Sequence, residues 1–251
     1  GYQVLAHDHR GHGHSETTEQ LGLYAEKKGW ALVKEDMRTV QQYIANEFPE
    51  LPVFIMAHSM GSFITMAYLM DTPLPLAGVI LSGSNYDDAI KYKALKSIVK
   101  AEKIRLGATG KSPIVEHLTF GSFNKPFEPS DEGFDWLSRD SAAVKDYLSD
   151  ELSGFACSCQ LWDDLLGGLI HISAEKNISK IPKNLPIYLF AGSNDPVGNY
   201  GKGVLRLASK FIHAGLQDVS FKLYENGRHE MLNETNKKEV VANIVYWLKA
   251  R

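Results

Sequence analysis

Short apolar runs separated by longer amphipathic stretches constrain this chain more than any other feature. The runs are residues 2–6, 53–57, 77–81, 187–191 and 219–224, each bounded by turn residues. A five- or six-residue apolar run without alternation fits a strand covered on both faces. Strands spaced by helices pair in parallel, because a parallel connection needs a long crossover. The pattern predicts an α/β architecture, a mostly parallel sheet flanked by helices.

Between the first two runs, residues 30–48 repeat Val33, Met37, Val40, Ile44 and Phe48 at helical spacing, one apolar stripe that Pro49 stops. Residues 62–70 leave the second run as a helix that ends at Asp71-Thr72-Pro73. Residues 204–213 form a helix closed by Gly215, and residues 237–249 form the last one, with Val240, Val241, Ile244, Val245 and Leu248 inward. Residues 86–180 break the alternation, with about three helices, a Pro/Gly/Phe-rich loop at 120–129 and no strand. They read as a helical lid inserted into a core of residues 1–85 and 181–251. Gly1-Tyr-Gln-Val-Leu-Ala reads as the inside of a buried strand, so further N-terminal strands are expected to be missing from this sequence and the working protein to be longer.

Composition excludes several classes. With 44% hydrophobic residues in 251, the chain can bury a sizeable core. Its 27 basic and 30 acidic residues are scattered and the net charge is -3, which leaves no positive stripe for nucleic acid. No apolar run is long enough to span a membrane. The lysine-rich stretch 91–103 reads as a solvated helix face, with docking to an anionic lipid surface as the alternative. Cys157 and Cys159 are too close for an unstrained bridge and lack a second ligand pair for zinc, so they read as reduced thiols. The compartment expected is the cytoplasm; the oligomeric state is left open.

Chemistry concentrates after three of the runs. Val53-Phe-Ile-Met-Ala57-His58-Ser59-Met60-Gly61 places a serine on a strand-to-helix turn. A hydroxyl is a weak nucleophile, so it needs exposure, an adjacent base and N–H groups aimed at a developing oxyanion. A sharp turn supplies the exposure and directs the Met60 N–H toward the reacting oxygen at a helix N-terminus. Small residues are expected two positions either side; they are Ala57 and Gly61, so the first departs from Gly-x-Ser-x-Gly. The plainer alternative is a serine that caps a helix.

Asp195 follows the run 187–191 and His229 follows 219–224, and the ends of parallel strands are where reactive groups gather. The order Ser59, Asp195, His229 is that of the α/β-hydrolase triad: nucleophile, orienting acid, general base. Taken singly, Asp195 fits an Asx-turn and His229 a surface loop. Asp87 and Asp88 are weaker candidates for the acid. The loop His7-Asp8-His9-Arg10-Gly11-His12-Gly13-His14 is rich in imidazole but has no ligand motif of defined spacing, so no metal is assigned. The plainer reading pairs Asp8 with Arg10 and gives the turns to Gly11 and Gly13.

Together Asp8-His-Arg-Gly-His-Gly-His-Ser15, Ala57-His-Ser-Met-Gly61, Asn194-Asp-Pro-Val197 and Gly227-Arg-His229 resemble the monoacylglycerol lipase and bacterial lysophospholipase family, a serine aminopeptidase S33-like group of the α/β-hydrolase superfamily. Phe120-Gly-Ser-Phe-Asn-Lys-Pro-Phe127 and Asp135-Trp-Leu-Ser-Arg-Asp140 are similar to its bacterial members. The resemblance implies a carboxylic-ester hydrolase for lipid-like monoesters, with a small acyl ester as partner and no cofactor or metal. It also implies a His-Gly loop with a second oxyanion donor, which nothing here matches.

Leu161, Trp162, Leu165, Leu166 and Leu169 form one broad apolar face, either the roof of an acyl pocket or packing against the sheet and neighbouring helices. Two rival functions stay open. One is an aminopeptidase binding the substrate amine on Asp163 and Asp164; the other is a binding protein that keeps the fold without the chemistry.

Overall fold

The computed structural model describes residues 1–71, 73–130 and 133–251, so Thr72 in the expected helix stop lies outside the described residues. Four strands, β1 (Phe54–His58), β2 (Gly78–Ser82), β3 (Ile187–Gly192) and β4 (Val219–Tyr224), pair in that order and all in parallel. The ladder aligns His58 with Ser82, Ser82 with Phe190, and Phe190 with Lys222, so the strand ends that carry the reactive loops lie level.

β2 and β3 are buried along their whole length, which is why they read as unbroken apolar runs. Alternate residues serve opposite faces. Val79, Leu81, Ile187, Leu189 and Ala191 join the larger core, while Ile80, Tyr188 and Phe190 pack against Val240, Ile244 and Trp247. Those last three belong to α9 (Lys237–Lys249). The larger core is closed by α1 (Gly29–Glu47), α2 (Met60–Leu69) and α8 (Lys202–His213) together with helices of the insertion. In α1 the predicted stripe is only partly covered: Val33 is fully buried, whereas Val40, Ile44 and Phe48 are half-buried.

The run at residues 2–6 is not a strand. Val4 is 88% exposed and Tyr2 52%, and no ladder joins them among the described residues. β propensity expresses packing against neighbouring strands rather than a backbone preference, so an apolar run without a partner stays irregular.

The insertion holds more helices than expected: α3 (Ala89–Leu106), α4 (Pro113–Thr119), α5 (Ser141–Ser149), α6 (Cys159–Ile172) and α7 (Glu175–Ile178). The short α4 and α5 have little periodicity, but both carry side-chain caps, Ser112 and Asp140. Between strands β2 and β3 the described residues contain only an isolated bridge, Lys111 to Ser158. The lysine-rich stretch is α3, and it is not wholly solvated: Lys96 and Lys103 pair with Asp163 of α6 at 2.5 and 3.2 Å. Both cysteines are free, and burial pushes the Cys157 thiol up to about 12. Among the described residues no helix is long and apolar enough to cross a membrane.

Candidate active site

β1 passes into α2 through Ser59, whose φ of 49° and ψ of -120° lie where non-glycine residues are strained. Such a conformation costs about 1–3 kcal/mol and persists only where its surroundings enforce it. Here the Ser59 N–H donates to Ser82 O at 2.9 Å, and its carbonyl accepts from the Ser62 N–H and hydroxyl at 2.9 and 2.6 Å. With its proton on Ser59 O, the Ser62 oxygen accepts from the Ser84 hydroxyl at 2.9 Å, tying the turn to the loop after β2. A Cβ at Gly61 would sit 3.9 Å from the Ala57 methyl, ordinary contact, so alanine at 57 leaves the turn undisturbed. Met60 is the first residue of α2, where N–H groups lack intrahelical acceptors.

The three candidate residues meet. Ser59 Oγ lies 2.9 Å from His229 Nε2, and His229 Nδ1 lies 3.0 Å from Asp195 Oδ2. Asp195 is fully buried and His229 3% exposed, so the ion-dipole contact is shielded from water. The Asx-turn reading of Asp195 holds as well: its Oδ1 accepts from the Val197 N–H at 2.9 Å, leaving Oδ2 for the imidazole. A carboxylate at Nδ1 assigns the proton to that nitrogen and leaves Nε2 to accept from the hydroxyl. Asp87, the weaker candidate, is engaged by Lys91 and Arg206.

Several groups that the sequence reading passed over pack around His229. The His58 ring lies 4.6 Å from it, with His58 Nδ1 3.2 Å from the Ser82 hydroxyl. His58 as a residue keeps surface at the edge of β1, yet crowding of its ring and the adjacent His229 push its pKa down to about 3, so it adds no charge at neutral pH. Gly83 has a φ of +55°, and a Cβ there would meet the Cε1 atoms of both imidazoles at 2.9 Å. The Trp136 ring lies 5.3 Å from His229 and continues through Phe120 to Trp162 of α6. His58 beside the serine was a visible signal, and Trp136 lay in the stretch 135–140 that the resemblance picked out; neither showed its contact with His229, because the contact is made across more than ninety positions of chain.

One expectation needs correction. Arg10 pairs with Asp36 of α1 through bonds of 2.6 and 2.7 Å, and Asp8 instead accepts from the His14 N–H at 2.9 Å. A bidentate carboxylate fork outcompetes a neighbour two residues away. Gly11 and Gly13 do make the turns, with φ of +73° and +54°. Burial, then the charges of His7 and His12, push His9 down to about 4, and the described residues contain no group of three or more metal-ligating side chains. The five apolar residues of α6 are all buried in the core against α1, α2 and α3, the packing alternative of the two weighed for them. Asp163 is neutralised by its two lysines, and Asp164 accepts from Gln160 at 3.0 Å.

A parallel sheet with a serine on a strained turn after β1, an aspartate after β3 and a histidine after β4 defines an α/β-hydrolase-fold protein. The chain belongs to the family described as "Serine aminopeptidase, S33", whose model matches residues 1–236. The monoacylglycerol lipase of Mycolicibacterium smegmatis is 28% identical over 253 residues, covering 99% of this chain and 78% of that protein. The human monoglyceride lipase is 28% identical over 263 residues, covering 99% and 73%. Among solved structures, a highly thermostable carboxyl esterase from Bacillus coagulans in complex with glycerol superposes with a TM-score of 0.88 at 27% identity, over 97% of this chain and 79% of that one. The chain is a serine hydrolase of the esterase and lipase type.

Proposed function

We propose that this chain hydrolyses lipid-like carboxylic monoesters, of monoacylglycerol or lysophospholipid type, through an acyl-enzyme on Ser59. The unbroken chain of hydrogen bonds from Ser59 through His229 to Asp195, anchored on a strained turn, carries the reading. His229 Nε2 takes the hydroxyl proton as Oγ attacks the ester carbonyl, and the Met60 N–H donates to the oxyanion. Collapse expels the alcohol, which receives the proton from His229. Water then enters, gives a proton to the same nitrogen, and releases the fatty acid and the free serine. Asp195 holds the imidazole tautomer and stabilises the imidazolium formed twice per turnover.

Residues 86–180 act as the lid over a core of residues 1–85 and 181–251. The Trp136 ring against His229 continues into Phe120 and Phe123, and this aromatic group suits an acyl chain better than the packed face of α6. The monoglyceride substrates of the named relatives support the same class. The engagement of Asp163 by two lysines removes the acidic pair that an aminopeptidase reading needs.

The test is labelling by a fluorophosphonate together with hydrolysis of a long-chain monoacylglycerol, an acetyl ester and an amino-acid anilide. The wild type should be labelled at Ser59 and prefer the monoacylglycerol, and Ser59→Ala should fold but neither label nor turn over. Faster cleavage of the anilide, or labelling that survives Ser59→Ala, would overturn the proposal.

A further inference from the structure

Glu234 is fully buried at the end of the loop that carries His229, and no step of the mechanism uses it. One carboxylate oxygen accepts from the Arg228 N–H at 2.9 Å and the Arg139 N–H at 3.2 Å. The other accepts from Arg139 Nε at 2.9 Å and the Thr235 N–H at 2.9 Å. It therefore joins two segments almost a hundred residues apart, 135–139 of the insertion and 228–236 after β4.

The two segments are bonded along their length. The His229 N–H donates to Trp136 O at 3.2 Å and the Glu230 N–H to Leu137 O at 2.8 Å. Arg228 donates to the carbonyls of Asp135 and Ser138, and the Ser138 hydroxyl donates to Asn233 O at 2.9 Å. Trp136, Leu137 and Ser138 are all buried. A buried carboxylate is costly unless its lone pairs are filled, and a site so filled is rigid. Burial acts to raise the carboxyl pKa, but the donors from Arg228, Thr235 and Arg139 more than reverse it, so the group stays charged at neutral pH.

We infer that Glu234 is a positioning residue that fastens residues 135–139 to the His229 loop, so that this part of the insertion belongs to the catalytic unit and fixes the imidazole between Ser59 and Asp195. The inference rests on the proposed role of His229. The carboxylate acts through backbone: it fixes Arg228 on one side of His229, while the Trp136 carbonyl holds the His229 N–H and the Trp136 ring abuts the imidazole. Glutamine at 234 keeps the shape but turns an amide toward donors, which sets N–H against N–H where the carboxylate accepted.

The test compares Glu234→Gln and Arg139→Lys with the wild type, each checked for cooperative melting. The readouts are the low-field proton resonance of His229 Nδ1, the fluorophosphonate labelling rate, and kcat and KM on a short aryl ester. Arg139→Lys keeps the charge but loses the planar Nε donor and serves if the glutamine variant does not fold. Either folded variant should broaden the imidazole resonance and cut kcat and labelling by about 10- to 100-fold with KM unchanged, since the group acts on geometry rather than on binding. A variant that melts lower but keeps the wild-type resonance and labelling rate would make Glu234 merely structural and overturn the inference. If the wild type labels at a residue other than Ser59, the mechanism fails, while the resonance still decides whether Glu234 holds the imidazole.

Discussion

Gly83 offers a perturbation whose size can be worked from coordinates, because an added methyl would strike the proposed base directly. With alanine at 83 the Cβ would lie 2.9 Å from His229 Cε1 and 3.1 Å from Nδ1, against the 3.4 Å at which ordinary contact begins. The ring must therefore retreat by roughly 0.5 Å while held at 2.9 Å from Ser59 and 3.0 Å from Asp195. Displacements of this order at a reacting centre cost up to about 10²-fold in turnover. The backbone adds its own term, since alanine at a positive φ loses about 1–2 kcal/mol, or about 2–8 °C in melting temperature for a chain of this size. Gly215→Ala separates the two effects: φ there is +91°, and a Cβ meets only Lys183 Cδ at 3.7 Å. The assay is kcat on an aryl ester beside thermal melting. Gly83→Ala should lose both activity and stability, and Gly215→Ala stability alone. Full activity in Gly83→Ala would refute the geometry assigned to His229.

Asp195→Asn should fold, because an amide oxygen can still accept from Val197, but should lower kcat by about 10⁴-fold by favouring the wrong imidazole tautomer; a loss under tenfold in steady-state assays would deny Asp195 its orienting role. Glu102 bonds to Arg105 and Ser112, which hold its carboxyl down at about 2 from the usual 4.5. A lowered folded-state pKa gives stability that is fully present above pH 4.5 and is lost as pH falls toward about 2. Urea denaturation across that window should find Glu102→Gln less stable than wild type at pH 6, with the deficit closing by pH 2; a constant deficit would mean the ionised form is not what matters.

The sheet was legible because β2 and β3 bury both faces, and a two-faced burial leaves an unbroken apolar run. Four of the five predicted strands form within a residue or so of their expected ends, and α9 spans residues 237–249 as expected, although Val241 of its stripe is exposed and Trp247 is buried instead. The fifth failed because residues 2–6 carry the composition of a strand but no ladder. The positions of Ser59, Asp195 and His229 were readable because each follows a strand, so order along the chain stood in for proximity in space. Arg10 with Asp36, and Glu234 with Arg139, were not readable. A charge finds its partner by three-dimensional packing, and nothing in the local pattern of Glu234 distinguishes a fully buried carboxylate from a solvated one.

The uncomfortable backbone at Ser59 sets heat resistance against usefulness at a single position. A residue without a side chain would rest there at ease, and the molecule would gain robustness in the same change that removes the proposed nucleophile. Selection for survival on heating alone would therefore drift toward inert molecules, and only a screen that also demands turnover would retain the tension built into that bend.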